Sequence, residues 1–126
     1  GLVDMLLKMM QDHGADFTNT FRALAETGDA PDLRAAQDYG AWSARWQQRL
    51  QAHPMARAQM LAANPAFIAR NHRVEQMISA ATQGDFAPFH RLLQVLQRPY
   101  DSQPDAADLQ APPQPHEVVQ ATFCGT

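Results

Sequence analysis

Residues 64–86 read "NPAFIARNHRVEQMISAATQGDF", and the reading of this stretch decides the fold. Pro65 pushes Asn64 out of the helical region, so the helix suggested by "MARAQMLAAN" (55–64) stops near Ala63. After a short loop, Val74, Met77, Ile78 and Ala81 recur at three- and four-residue steps, the mark of an amphipathic helix. Gly84 stops that helix and Asp85 caps the next. At the corner, Asn64 is expected to bond its own backbone and Asn71 to cap the following helix. Arg70 is expected to reach a carboxylate or helix C-terminal carbonyls as a bidentate donor.

The same grammar extends outward. In "LVDMLLKMMQD" (2–12), Val3, Leu6, Leu7 and Met10 share a helical face. Leu2, Met5 and Met9 widen it, which predicts a helix buried on more than one side and stopped by Gly14. In "ADFTNTFRALAETGD" (15–29), Asp16 is the N-cap, Phe17, Phe21, Leu24 and Ala25 share a face, and Gly28 closes the helix. Asp29 and Pro31 suggest another start, with a helical pattern to about Gln51 that Gly40 could break. Tyr39, Trp42 and Trp46 are better read as core than as a stacking surface, because large aromatics at helical spacing face the interior. Phe86, Phe89, Leu93 and Leu96 predict the buried stripe of a last helix, closed by Pro99. No segment alternates with the two-residue period of a strand. The expectation is an all-α bundle of five to six helices over residues 1–98. Residues 99–126 hold five of the nine prolines, four acidic residues and no lysine or arginine. They predict an extended tail, disordered or wrapped on a surface.

Composition narrows the function. The 126 residues suit one domain, and 45 % hydrophobic with 18 % charged residues is a globular profile. Ten basic residues are scattered, only one is lysine, and the net charge is −3. Nucleic acid and anionic membrane surfaces are therefore not expected partners, since both demand a basic patch. No apolar run approaches the ~20 residues that span a bilayer. The chain opens with Gly1 and enters a helical pattern at once, so a piece of a longer protein is expected. A single cysteine precludes an internal disulfide, and a reducing cytoplasm is the expected compartment.

Catalytic motifs are absent: no phosphate-binding glycine loop with lysine, no nucleophile elbow and no HExxH pair. The carboxylates fit capping and solvated faces. His13, His53, His72, His90 and His116 form none of the close pairs of zinc sites, so no metal is expected. Cys124 sits third from the end in "TFCGT". An exposed tail thiol exchanges with any thiol it reaches, so function and tolerance stay equally open for it on chemistry alone.

Four stretches in order carry a resemblance: "ADFTNTFRAL" (15–24), the opening stretch 64–86, "LLQVLQRPYD" (92–101) and the terminal "CGT" (124–126). Together they resemble the C-terminal part of the selenoprotein O family. The chain departs from the family pattern at Phe17, where tyrosine is usual, and in ending Cys-Gly-Thr. The resemblance implies a parent with a kinase-like core that transfers AMP from ATP onto protein hydroxyls with Mg or Mn. It implies that catalytic and nucleotide-binding residues lie in that core, N-terminal to everything here, so none are carried over and no cofactor is expected in this piece. It also implies that Cys124 is a terminal redox residue whose partner thiol is elsewhere. The expected partners are the kinase-like core of the same protein and the parent's protein substrates. Self-association of the piece is a further expectation, through apolar surface that the core would cover. An alternative stays open: a freestanding helical interaction module, with Met5, Met9 and Met10 as an adaptable surface.

Overall fold

A computed structural model of the chain describes residues 1–120. Among them the regular structure is all helical: six α-helices, and 3₁₀ segments at Pro31–Leu33, Pro104–Leu109 and Pro115–Glu117. The chain forms two compact units, Gly1–Pro65 and Ala66–Thr126. The division expected at 98/99 follows composition, whereas the units meet at Pro65/Ala66.

The first unit holds α1 (Leu2–His13), α2 (Phe17–Thr27), α3 (Tyr39–Ala52) and α4 (Ala56–Ala63). Gly14 and Gly28 take left-handed conformations, φ 63° and 77°, and end α1 and α2 at little steric cost. Leu6, Met9, Met10, Leu24, Leu33, Tyr39 and Trp42 form the core. Tyr39, Trp42 and Trp46 stack in sequence, with ring centroids 6.0 and 5.8 Å apart. The Trp42 indole N–H donates to the Leu2 carbonyl at 2.8 Å, tying α3 to the start of α1.

Three expectations for this unit need correction. α1 is buried along one stripe rather than on several sides: Val3 and Leu7 are exposed while Met9 and Met10 lie in the core. Those methionines therefore pack inside and offer no adaptable surface. Phe17 is also exposed, its ring set against Phe21 at 4.8 Å. The helix expected from Pro31 begins only at Tyr39. Asp29 does not cap it, because its carboxylate is taken by the Tyr39 hydroxyl, at 2.5 Å, and by the Arg34 guanidinium. The Ala30 N–H donates to that same hydroxyl at 2.8 Å. The knot curls residues 29–39 back on themselves, so only one 3₁₀ turn forms there.

The second unit holds α5 (Asn71–Thr82) and α6 (Ala87–Leu96), followed by the two later 3₁₀ segments. Its core is Ala66, Phe67, Leu92, Val95, Ala106 and Leu109. Residues 104–109 of the Pro-rich tail are thus core material, although they lack helical periodicity. α6 buries a different flank from the one expected. Leu92 and Val95 are buried and Leu96 packs against them, but Phe86, Phe89 and Leu93 are 54, 39 and 46 % exposed. Leu92 is three residues from Phe89 and Leu96 three from Leu93, so these side chains share one wide apolar arc, and the flank that meets Ala106 and Leu109 is the buried one.

Candidate functional site

The corners named by sequence are built by side chains from several elements. Asp16 accepts from the Asn19 N–H at 2.9 Å and caps α2. Asn64, in extended conformation after α4, donates from its amide to the Met60 carbonyl at 2.9 Å. Arg70 occupies the position before α5, and its carbonyl receives the N–H groups of Arg73 and Val74. Asn71 does not cap α5: it is the first helical residue, and no side chain caps that helix. Asp85 sits one residue before the cap position of α6 and accepts from the Ala87 N–H at 3.1 Å.

Arg22, which sequence did not single out, gathers helix C-terminal carbonyls with its guanidinium. It is 6 % exposed. It donates to the carbonyls of Leu61 and Asn64 at 3.3 and 3.0 Å, and to the Glu26 carboxylate at 2.7 Å. Arg57 returns the arrangement from α4, donating to the carbonyls of Ala25 and Glu26 at the end of α2. Each helix thus satisfies the orphan carbonyls of the other. A mid-helix arginine four residues before a glutamate reads as a solvent-exposed pair, so sequence carried no signal of this role.

In the second unit a polar strap fastens the tail. Arg91 grips Asp108 with two bonds of 2.7 and 2.6 Å and reaches the Asp105 carbonyl. Arg73 donates to the Asp108 carbonyl at 3.0 Å and lies 3.8 Å from the Glu117 carboxylate. Gln76 donates to Glu117 at 2.9 Å. Gln103 and Gln110 bond backbone carbonyls at Val95, Arg98 and Ala66, and the Pro99 carbonyl receives the N–H groups of Ala66 and Phe67. The strap shifts its carboxylates: the Arg91 bonds hold Asp108 below its ordinary pKa. The Gln114 N–H, then the Gln76 amide, do the same for Glu117.

An open groove of about 640 Å³ lies where the tail crosses α5, lined by His72, Glu75, Gln76, Ser79, His116, Glu117 and residues 118–120. His72 is 3 % exposed, and its Nε2 has no hydrogen-bond partner. Burial, then the Arg73 charge, lowers its pKa, so the ring is neutral near pH 7. Among the described residues no cluster of His, Cys, Asp or Glu could hold a metal ion. Glu117 is spent on the strap, and Asp29 is held down by Arg34 and then Tyr39. Gln76 and Arg73 anchor the Pro115–Glu117 turn beside this groove. Cys124 lies outside the described residues.

No helix among the described residues is long and apolar enough to cross a membrane. No protein-family model matches the chain. Curated relatives do. The Ruegeria pomeroyi protein named Protein nucleotidyltransferase YdiU is 51 % identical over 125 residues, covering 99 % of this chain and 26 % of that protein. Proteins of the same name from Rhizobium etli and Roseobacter denitrificans are each 51 % identical, over 138 and 126 residues. These matches cover 99 % of this chain, and 28 and 26 % of the respective relatives. The chain thus spans about a quarter of the length of the relatives it matches. The four ordered motifs, the all-helical architecture and these matches agree: the chain belongs to the selenoprotein O family and corresponds to a C-terminal region of its members.

Proposed function

We propose that this chain is the helical C-terminal part of a protein nucleotidyltransferase that transfers AMP from ATP onto protein hydroxyls. The observation that carries the proposal is 51 % identity along 99 % of the chain to proteins named for nucleotidyl transfer. In this reading the chemistry, with ATP and Mg or Mn, belongs to the polypeptide outside the matched quarter. The sequence carries no glycine-rich phosphate loop with lysine and no nucleophile elbow, so this reading assigns no catalytic step to these residues. Their work is to support the core and to anchor the tail, through Arg73, Gln76 and Arg91, on the way to Cys124. Cys124 is the redox residue of this proposal, and its partner thiol lies outside the chain, because it is the chain's one cysteine. The cytoplasm is the compartment that suits such an exchangeable thiol.

The test supplies ATP labelled on its α-phosphate to the full polypeptide and, separately, to the 126-residue chain. Label is expected on protein only with the full polypeptide. Transfer by the 126 residues alone would overturn the assignment of catalysis to the missing part.

A further inference from the structure

The outer face of α6 is an unpartnered apolar stripe. Phe86, Phe89 and Leu93 follow one another at three- and four-residue steps and are 54, 39 and 46 % exposed. The adjoining flank of the same apolar arc is already used, with Leu92 and Val95 in the core. The apolar arc of α6 is thus wider than the part its own unit covers, and the uncovered flank is the part left for another partner. The stripe carries no charge of its own: α6 has no acidic residue, and Arg91 is turned to Asp108 on the tail.

We infer that this face is the docking surface of the chain for the rest of its own polypeptide, the three quarters that the relatives carry beyond the matched region. This rests on the reading of the chain as part of a larger nucleotidyltransferase. Size favours that occupant over a second copy. A half-exposed phenylalanine or leucine offers roughly 100 Å², so the stripe presents on the order of 300 Å². A stable interface between separate chains needs about 800 Å² from each partner. A segment of the same polypeptide is held at high effective concentration, so a small apolar face is enough. The chemistry that fits is an uncharged apolar groove, because a charge set against Phe89 and Leu93 would be desolvated without a partner.

The experiment replaces the matched quarter of the Ruegeria pomeroyi relative with this chain, either unchanged or carrying F89D and L93D together. The same pair is placed in the isolated 126-residue chain. The unchanged chimera is expected to melt cooperatively and to transfer AMP. The double variant is expected to melt roughly 5 °C lower and to expose α6 to hydrogen exchange, while the isolated chain keeps its melting temperature. A double-variant chimera that melts like the unchanged one overturns the docking surface and leaves the functional reading standing. A drop in the isolated chain, or a dimer of it that the pair dissolves, overturns the proposed occupant. Failure of the unchanged chimera to fold or transfer AMP overturns the functional reading itself.

Discussion

Arg22 is expected to be the most sensitive polar position in the first unit. Arg22→Met keeps most of the buried stem and removes the guanidinium. Its bonds to Glu26, Leu61 and Asn64 go with it, and the two carbonyls at the end of α4 lose this donor. A hydrogen bond to a charged group contributes about 1.5–3 kcal/mol, and an orphaned buried acceptor costs about 1–3 kcal/mol. Leu61 and Asn64 are only half-buried, so water recovers part of this. The net expectation is a loss of about 2–4 kcal/mol. A unit of this size holds roughly 3–10 kcal/mol in all, so the variant sits near the edge of unfolding. Both tryptophans, Trp42 and Trp46, lie in this unit, so urea unfolding followed by indole fluorescence reports it alone. Glu26→Ala is the control: its carboxylate is 39 % exposed, and its removal should cost below about 1 kcal/mol. An Arg22→Met variant within about 0.5 kcal/mol of the parent would refute the carbonyl-gathering role.

His72 is neutral in the fold because burial and Arg73 oppose its charge, so its pKa lies below the 6.5 of an unfolded histidine. The unfolded state binds the extra proton, so stability falls as pH drops through 6.5 toward the folded pKa. His72→Gln should remove that slope, and imidazole NMR showing His72 titrating at or above 6.5 would contradict it. The carboxylates of Asp108 and Glu117, held below their ordinary values, contribute stability that is lost only in a lower window, below about pH 4. In the tail, Leu109→Ala should cost about 2–4 kcal/mol, since Leu109 is a core residue. Arg91→Ala should cost at most about 1 kcal/mol, since the Arg91–Asp108 pair is half exposed. Hydrogen exchange over residues 104–109 separates these two, and equal effects would mean that charge rather than burial holds the tail. Gly28→Ala should cost about 1–2 kcal/mol by urea melt, because φ is 77° and the new methyl would meet Gln47 Nε2 at 3.3 Å; a neutral result would mean the turn relaxes.

Much of the fold was legible because punctuation and period agreed. Asp16, Gly14 and Gly28 bound α1 and α2, and the Tyr39–Trp42–Trp46 stripe packs inward as its spacing predicts. What sequence missed was decided by partners distant along the chain. A helix with a wide apolar arc does not say which flank is buried, and α6 buries the flank that meets Ala106 and Leu109. Those two residues lie in a Pro-rich segment whose 3₁₀ turns are too short to show periodicity. Asp29 offered cap chemistry, but Tyr39 and Arg34 compete for its oxygens from ten and five residues away. Arg22 reads as half of a surface pair with Glu26, and its carbonyl partners are 39 and 42 residues on. The family was legible only through the order of four motifs, none of which is specific alone.

The central claim is that these 126 residues are about a quarter of a larger nucleotidyltransferase. Mass spectrometry of the native polypeptide that carries "TFCGT" tests it most directly. One species of about four times 14.0 kDa that contains this sequence is the expected result. A native species of 14.0 kDa would contradict the claim.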